Sequence, residues 1–218
     1  MDGKRLLGIP VIGVFLNLGF LFFMPEALVT FPTALVIILF EGFIIVDIVV
    51  RPVSSKRDEY RRSRIFTVSL FLLMPILMLL PILEMNILWN QYLTPYNLEL
   101  IVAIGLFILL FGGITLYHSR HIIGRYGGSR ITIEDDHKII TKGLYKYIRH
   151  PIYLGMLCLF AGYLIALGSL VITSLWTAIL FGVLRERMEQ EEDMLIERFG
   201  EEYIAYMTRT RRLIPYLY

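Results

Sequence analysis

Long segments without charged side chains are the feature that most constrains this chain. Residues 151–184 carry no charged residue, and 56% of all 218 residues are hydrophobic. Apolar segments lie at residues 6–24, 27–50, 65–83, 98–117, 152–167 and 170–184. Because a helix needs about 20 apolar residues to cross a bilayer, we predict an all-α integral membrane protein with about six transmembrane helices.

The last two apolar segments are short for transmembrane helices. The Gly-Ser pair at 168–169 is typical of a turn, so we expect these segments to form a short helical hairpin. The chain then becomes polar, and residues 185–206 are predicted to form a cytoplasmic amphipathic helix that Gly200 interrupts. We therefore divide the chain into four N-terminal transmembrane helices, residues 1–117, and a candidate catalytic region, residues 118–218, with a cytoplasmic loop, the hairpin and the C-terminal helix.

Basic residues are distributed unequally among the links between apolar segments. Residues 51–64 hold six basic against two acidic residues, and residues 118–150 hold seven against three. The links at 84–97 and 168–169 contain no Lys or Arg. The positive-inside rule therefore places both termini, both basic loops and any site built on them on the cytoplasmic side.

Composition and motifs exclude several kinds of protein. The single cysteine, Cys158, rules out an internal disulfide and a multi-cysteine metal site. No basic run alternates with aromatic residues, so a nucleic-acid partner is not expected. The histidines do not follow metal-protease spacing, and we predict no metal site. The N-terminal apolar run lacks a small-residue cleavage site, which favours a retained first helix over a signal peptide.

Three acidic residues interrupt the predicted transmembrane segments or their ends. Glu41 lies near the middle of the second segment, and either a substrate groove or an interhelical hydrogen bond would explain it. Asp47 lies near the cytoplasmic end, where an ordinary structural role is favoured. Glu84 is expected to pair locally or to lie at the membrane interface.

A first polar cluster precedes the fifth apolar segment, in the sequence G-L-Y-K-Y-I-R-H-P-I-Y-L-G from Gly143 to Gly155. Pro151 disfavours helix at the preceding residue and suits the first turn of a helix, so His150 is expected just outside a helix N-terminus. The unpaired N–H groups of that turn attract electron-rich ligand atoms. Anchoring at the membrane interface by Arg149 and Tyr153 is the alternative explanation.

A second polar cluster follows the sixth apolar segment. Arg187 and Glu191 are four residues apart and share a helix face, and Glu192 lies on the adjacent flank. Such a run is usually a solvated face. The predicted hairpin, however, returns this run to the side of Arg149 and His150. Together the two clusters supply a cation, two carboxylates, a histidine and several tyrosines, enough to bind a charged cofactor and an anionic substrate group.

At these residues the chain resembles the isoprenylcysteine carboxyl methyltransferase family. The family pattern is G-x-Y-x-x-x-R-H-P-x-Y-x-G, a helical hairpin, a Glu-Glu pair and an F-G-x-E-Y-x-x-Y tail. The chain matches it from about residue 120 to 215, whereas its first 100 residues match only as generic transmembrane segments. Eukaryotic members tend to have more transmembrane helices, so the chain is expected to be a compact, prokaryotic member.

The resemblance implies a membrane methyltransferase that uses S-adenosylmethionine. Arg187 and Glu191 would face a lipid-linked carboxylate acceptor, such as a prenylated cysteine. The implied cofactor-binding residues are Tyr145, Arg149, His150, Pro151, Tyr153, Gly155 and Glu192. An ionised carboxylate needs no general base, so alignment of donor and acceptor would be the enzyme's main task.

Three alternatives remain open. A phospholipid amine acceptor would need Glu191 as a base, and Arg187 would then be a hindrance. Membrane sterol or steroid reductases that use NADPH share an R-H-P-x-Y-type segment but not the Glu-Glu run and its tail. A non-enzymatic membrane scaffold would use both polar clusters only as anchors. The natural acceptor and the oligomeric state are not indicated by the sequence.

Overall fold

The computed structural model describes residues 31–50, 80–81, 84, 87–88, 94–126 and 138–214. Helices dominate these residues, and no strand occurs among them. Among the described residues, five α-helices have both ends defined: α1 (Phe31–Val50), α2 (Pro95–Ile123), α3 (Pro151–Ala166), α4 (Val171–Phe199) and α5 (Glu201–Arg209). Short 3-10 turns lie at Gly124–Tyr126 and Gly143–Lys146. The predicted all-helical class therefore agrees with the described part of the chain.

Helix α2 is the longest apolar element among the described residues. Thr94 caps its N-terminus by accepting a hydrogen bond from the Asn97 amide at 3.3 Å, and Pro95 occupies the first turn. Gly124, with a φ of 56°, ends the helix. Residues Tyr96–Ile123 are long and apolar enough to cross a membrane. The total of six transmembrane helices stays a prediction, because segments 6–24 and 65–79 lie outside the described residues.

Glycines bring α2 and α3 into backbone contact. A Cβ atom on Gly112 would lie 2.3 Å from the amide nitrogen of Leu159, and one on Gly162 would lie 2.2 Å from that of Leu109. Gly105 and Gly155 meet the opposite helix in the same way. Such small residues let membrane helices gain packing energy by close approach. This contact is the centre of the described fold.

Helix α1 packs beside this pair through aromatic and ionic contacts. Phe40 stacks on Tyr163 with ring centroids 4.2 Å apart, and it meets Phe160 edge-on. Asp47 accepts a 2.8 Å hydrogen bond from Nε of Arg120, and both side chains are buried. The structural role expected for Asp47 is therefore an ion pair that joins α1 to α2.

A distant carboxylate completes the first turn of α4. Glu84 accepts hydrogen bonds from the amides of Leu170, Val171 and Ile172 at 2.8–2.9 Å and one from the hydroxyl of Ser169. These amides have no intrahelical partner, and a carboxylate also suits the positive end of the helix dipole. Glu84 therefore pairs with residues that are far away in the sequence. Local pairing, one of the two possibilities expected from the sequence, does not describe these contacts.

Helix α4 runs without interruption from the apolar segment into the polar cluster. Residues 185–199, predicted as the first part of the amphipathic helix, continue the same helix as residues 171–184, as expected for a last apolar helix that extends beyond the lipid. Gly200, with a φ of 54°, ends α4, and α5 then turns away. One rigid helix thus carries Arg187, Glu191 and Glu192 at a fixed distance from the turn that Glu84 caps.

A cavity of about 550 Å³ lies between α3 and α4. Leu157 and Ala161 line it from α3, and Phe181 lines it from α4. The remaining lining residues, all on α4, are Thr173, Ser174, Thr177 and Ala178. The lining is largely apolar, in contrast to the charged residues that begin at Arg185 farther along α4.

Candidate active site

The entry into α3 fixes the first half of the polar cluster. Pro151 occupies the first turn, and His150 immediately precedes it with a φ of −123°. The peptide N–H of His150 donates to the carbonyl of Arg212 at 3.0 Å, so the residue is held by the C-terminal segment as well as by the helix. The predicted placement of His150 at a helix N-terminus agrees with the structure.

His150 joins the two clusters predicted from the sequence. Its Nε2 lies 3.1 Å from Oε1 of Glu192, and its Nδ1 lies 3.6 Å from Oε2 of Glu191. Burial alone would lower the pKa of His150, but hydrogen bonds to the two carboxylates and their negative charge outweigh it and raise the pKa. A protonated imidazole can donate to both glutamates at once.

Glu192 is the most heavily bonded member of the cluster. Its side chain is only 3% exposed, and Oε1 accepts from Nε of Arg149 at 2.7 Å as well as facing His150. Oε2 accepts from Nε of Arg212 at 3.0 Å and lies 2.9 Å from Nη2 of the same residue. Although burial opposes ionisation, the hydrogen bonds from His150 and Arg149 lower the pKa of Glu192 to about 2.

Tyr153 connects the α3 side of the cluster to Arg187. Its hydroxyl donates to Glu191 and accepts a 2.8 Å hydrogen bond from Nε of Arg187. Nε of Arg187 also lies 3.4 Å from Oε1 of Glu191, so the three side chains form a closed triangle. The Arg187 side chain is 13% exposed and the Glu191 side chain 24% exposed, which leaves both within reach of a ligand.

Glu191 stays ionised in this setting. Burial would raise the pKa of its carboxyl, but the hydrogen bond to His150 and the positive charge of Arg187 lower it overall. A carboxylate with a lowered pKa is a weak proton acceptor at neutral pH. Glu191 is therefore suited to orient a cation rather than to act as a base.

Arg185 lies apart from this cluster. Its side chain is 60% exposed and pairs with Glu189 at 3.1 Å, four residues along the same helix. The sequence did not distinguish Arg185 from Arg187 as a contact for the acceptor. Only Arg187 of these two faces the residues contributed by α3.

Two predicted cofactor-binding residues lie at the edges of the cluster. The Tyr145 hydroxyl approaches the carbonyl of Ser119 at 3.5 Å, while the Tyr145 carbonyl accepts a 2.7 Å hydrogen bond from Tyr206. Gly155 faces the backbone of Leu116 in the contact between α2 and α3. The close approach expected at Gly155 is thus made by another helix of the same chain.

The C-terminal segment supplies contacts that were not predicted. An isolated parallel bridge pairs Ile148 with Arg211, and Arg149 donates to the carbonyls of Met207 and Thr210 at 3.3 and 2.7 Å. Arg212 reaches both Glu189 and Glu192 from this segment. The only signal in the sequence was a pair of arginines before Leu213, which by itself resembles an ordinary basic tail.

The residues that form the cluster also carry a recognisable family pattern. Residues 103–197 match the isoprenylcysteine carboxyl methyltransferase (ICMT) family. The predicted resemblance is confirmed by this match, which includes Arg149, His150, Arg187 and the Glu191–Glu192 pair. Met207, Thr210 and Arg212 lie beyond the matched residues. The expectation of a compact prokaryotic member stays a prediction.

Curated relatives are similar to part of this chain. The protein-S-isoprenylcysteine O-methyltransferase of Schizosaccharomyces pombe is 35% identical over 80 residues, which cover 37% of this chain and 34% of the relative. The Mus musculus protein of the same name is 28% identical over 134 residues, covering 61% of this chain and 46% of the relative. The chain thus spans about a third to a half of the length of these ICMT relatives.

A solved structure has the same fold. The eukaryotic intramembrane Ras methyltransferase ICMT, solved without a monobody, superposes with a TM-score of 0.68 at 20% sequence identity. The superposition covers 93% of this chain and 74% of that one. The two chains therefore share an overall fold.

Proposed function

We propose that this chain is an integral membrane methyltransferase that uses S-adenosylmethionine to methylate the carboxylate of a prenylated cysteine or a similar lipid-linked acceptor. The observation that carries the proposal is the Arg187–Tyr153–Glu191 triangle beside His150 and Glu192, within the residues that match the ICMT family. The names of the curated relatives, which are protein-S-isoprenylcysteine O-methyltransferases, support the same reaction.

The chemistry of the cluster fits the proposed cofactor. S-adenosylmethionine carries a carboxylate, an ammonium group and a sulfonium, and it supplies an electrophilic methyl group when bound. The cluster offers cations on Arg149 and His150 and an ionised carboxylate on Glu192. Tyr145, Arg149, His150, Pro151, Tyr153, Gly155 and Glu192 form the proposed cofactor side.

Within this assignment the seven residues contribute differently. Both oxygens of Glu192 already accept hydrogen bonds from this chain, so Glu192 would hold Arg149 and His150 in place while it borders the cofactor. Gly155 would contribute by letting α2 and α3 meet closely. These roles are proposals that follow from the contacts of each side chain.

Arg187 is the proposed clamp for the acceptor. A planar guanidinium matches a carboxylate in two hydrogen bonds, and Tyr153 and Glu191 hold its plane through Nε. A carboxylate is already a nucleophile at neutral pH, so the protein must orient it and exclude water rather than remove a proton. Positioning of this kind accounts for up to about 7–11 kcal/mol of a reaction barrier.

The apolar cavity between α3 and α4 offers a place for the lipid tail of the acceptor. The apolar cavity between α3 and α4 lies along the same helix as Arg187 and can accommodate part of a hydrocarbon chain. We infer that the lipid tail enters from the bilayer and the water-soluble cofactor from the cytoplasm. In this arrangement the chain is multi-pass, with the cluster and both termini on the cytoplasmic side.

The alternatives are less consistent with the geometry. An amine acceptor must lose a proton, and the lowered pKa of Glu191 makes this carboxylate a poor base for that step. Arg187 would in addition repel an ammonium group. A reductase that uses NADPH has no support from the family match, which is to a methyltransferase family.

The proposal can be tested on purified full-length protein in detergent. Calorimetry should show binding of S-adenosylhomocysteine and no binding of NADPH. Radiolabelled methyl transfer should occur to a prenylcysteine with a free carboxylate, but not to its carboxamide or to phosphatidylethanolamine. Binding of NADPH alone, or methylation of phosphatidylethanolamine in preference to the prenylcysteine, would refute the proposed reaction.

A further inference from the structure

Arg212 contacts the centre of the cluster from beyond residues 103–197, the segment that is matched to the ICMT family. Its guanidinium donates through Nε to Oε2 of Glu192 at 3.0 Å, and Nη1 lies 3.3 Å from Oε1 of Glu189. We propose that Arg212 is a positioning residue that orients Glu192, and through it His150 and Arg149, for binding of S-adenosylmethionine. This inference rests on the proposed function.

The two oxygens of Glu192 divide its partners between different parts of the chain. Oε1 faces Arg149 and His150, both at the start of α3, whereas Oε2 receives two nitrogens of Arg212. The carboxylate is therefore held between α3 and the C-terminal segment. Loss of the contacts at Oε2 would free the Glu192 side chain to rotate and would weaken its hold on His150.

Backbone contacts hold Arg212 at this position. The parallel bridge at Ile148 and Arg211 brings the carbonyl of Arg212 to the peptide N–H of His150 at 3.0 Å. Leu213, the next residue, is buried in the apolar core, and Thr210 is buried on the other side. Main-chain and side-chain contacts of Arg212 thus converge on the same histidine and its glutamate partner.

The position of Arg212 predicts that its loss raises KM for S-adenosylmethionine more than KM for the prenylcysteine. His150 separates the Glu192 branch of the network from the branch of Arg187, Tyr153 and Glu191. Disturbance of Glu192 should therefore affect the proposed cofactor side first. A general loss of folding would instead lower activity without this selectivity.

The chain provides a matched control in the neighbouring Arg211. Its side chain is exposed, and its contacts in the bridge are made by the backbone, which a change to alanine preserves. Arg211→Ala and Arg212→Ala remove the same charge from adjacent positions. Arg212→Lys keeps the positive charge but lacks the planar set of N–H donors of a guanidinium. This variant allows the proposal to be tested if Arg212→Ala folds poorly.

Calorimetry with S-adenosylhomocysteine and steady-state kinetics on the full chain test the proposal. Arg212→Ala should weaken binding by about 10- to 100-fold, the range for a lost hydrogen bond to a charged group, and should raise KM for S-adenosylmethionine. KM for the prenylcysteine should change less than about twofold. Arg212→Lys should recover part of the loss, and Arg211→Ala should resemble wild type.

A double-mutant cycle adds an independent criterion. If Arg212 acts through Glu192, Arg212→Ala should have little further effect on binding in a Glu192→Gln background. The proposal would be overturned if the Arg212→Ala and Arg211→Ala variants bound S-adenosylhomocysteine equally well, or if the losses in the cycle were additive. It would also be overturned if KM for S-adenosylmethionine and KM for the prenylcysteine rose equally. Failure of the wild-type protein to bind S-adenosylhomocysteine would instead refute the proposed function itself.

Discussion

The hydroxyl of Tyr153 is a junction between two roles in the cluster. It accepts from Arg187 and donates to Glu191, while its ring stacks near that of His150 with centroids 5.6 Å apart. A phenol can donate and accept at the same time, which neither a carboxylate nor a guanidinium can do. Tyr153 therefore lies between the residues proposed for the acceptor and those proposed for the cofactor.

Removal of the proposed clamp should separate binding from turnover. Arg187→Ala is expected to lower kcat/KM for the prenylcysteine by at least about 100-fold, because the acceptor carboxylate loses a bidentate charged partner. Binding of S-adenosylhomocysteine should stay within about twofold of wild type. Arg185→Ala, which removes an exposed arginine on the same helix, serves as the control and should leave turnover nearly unchanged. Unaltered turnover in Arg187→Ala would contradict the clamp.

The paired titrations of His150 and Glu192 predict a pH window for stability. The lowered pKa of Glu192, about 2 against an ordinary 4.5, contributes stability above pH 4.5 that is lost as the pH falls toward 2. The raised pKa of His150 contributes stability below its ordinary 6.5 that is lost as the pH rises through the folded value. Both contributions are complete between pH 4.5 and 6.5. Thermal unfolding in detergent should show the His150→Ala variant losing less stability than wild type on the alkaline side.

At the level of elements, the glycines of α2 and α3 are the most sensitive points of the described fold. Gly162→Leu would place a side chain against the Leu109 backbone, where even a Cβ atom lies 2.2 Å from the amide nitrogen. We expect a loss of several kcal/mol or failure to fold, because neither backbone can move without parting the helices. Gly182→Ala on α4, which meets nothing within 4 Å, is the control. Similar melting temperatures for the two variants would disprove the backbone contact.

The cap that Glu84 provides should be measurable at the start of α4. Glu84→Ala leaves the amides of residues 170–172 without their carboxylate partner, at an expected cost of about 2–4 kcal/mol. Hydrogen exchange at these amides should accelerate in the variant, and the melting temperature in detergent should fall. Glu99→Ala removes an exposed glutamate near the start of α2 and should change neither quantity. Unchanged exchange at residues 170–172 would exclude the cap.

At the scale of the whole molecule, the sequence was sufficient for features that depend on periodicity and motif. The helical class, the helix start at Pro151 and the meeting of His150 with the Glu191–Glu192 pair all followed from apolar segments joined by a short turn. The hairpin geometry in the membrane and the number of transmembrane helices remain predictions. The sequence could bring the two halves of the cluster together because one half lies at the start of α3 and the other lies on α4, and a short turn joins these two helices.

Other contacts could not be predicted, because they join residues far apart in the chain without a local pattern. Glu84 and the start of α4 are separated by more than 80 residues, and a lone acid in an apolar segment has many possible partners. The bridge between Ile148 and Arg211 involves a single residue pair, which leaves no alternation to detect. Gly155 did indicate a close approach, but its partner, the backbone of Leu116, is visible only in three dimensions.

The proposed orientation of the whole chain is open to direct measurement. Reporter fusions after residue 218 and within residues 51–64 should be active on the cytoplasmic side, because basic residues are retained there. A fusion within residues 84–93 should be active on the opposite side. A C-terminal reporter active outside the cytoplasm would contradict the placement of the cluster beside the soluble cofactor.

Backbone contact between α2 and α3 also limits how the molecule can move. At Gly105, Gly112, Gly155 and Gly162 the backbones of the two helices lie too close for a side chain to separate them, so a change of rotamer at these positions cannot let the helices slide or part. The two helices should therefore shift as one rigid body during turnover. A lateral opening for a lipid would then lie elsewhere, and among the described residues the hollow between α3 and α4 is a place with space for it.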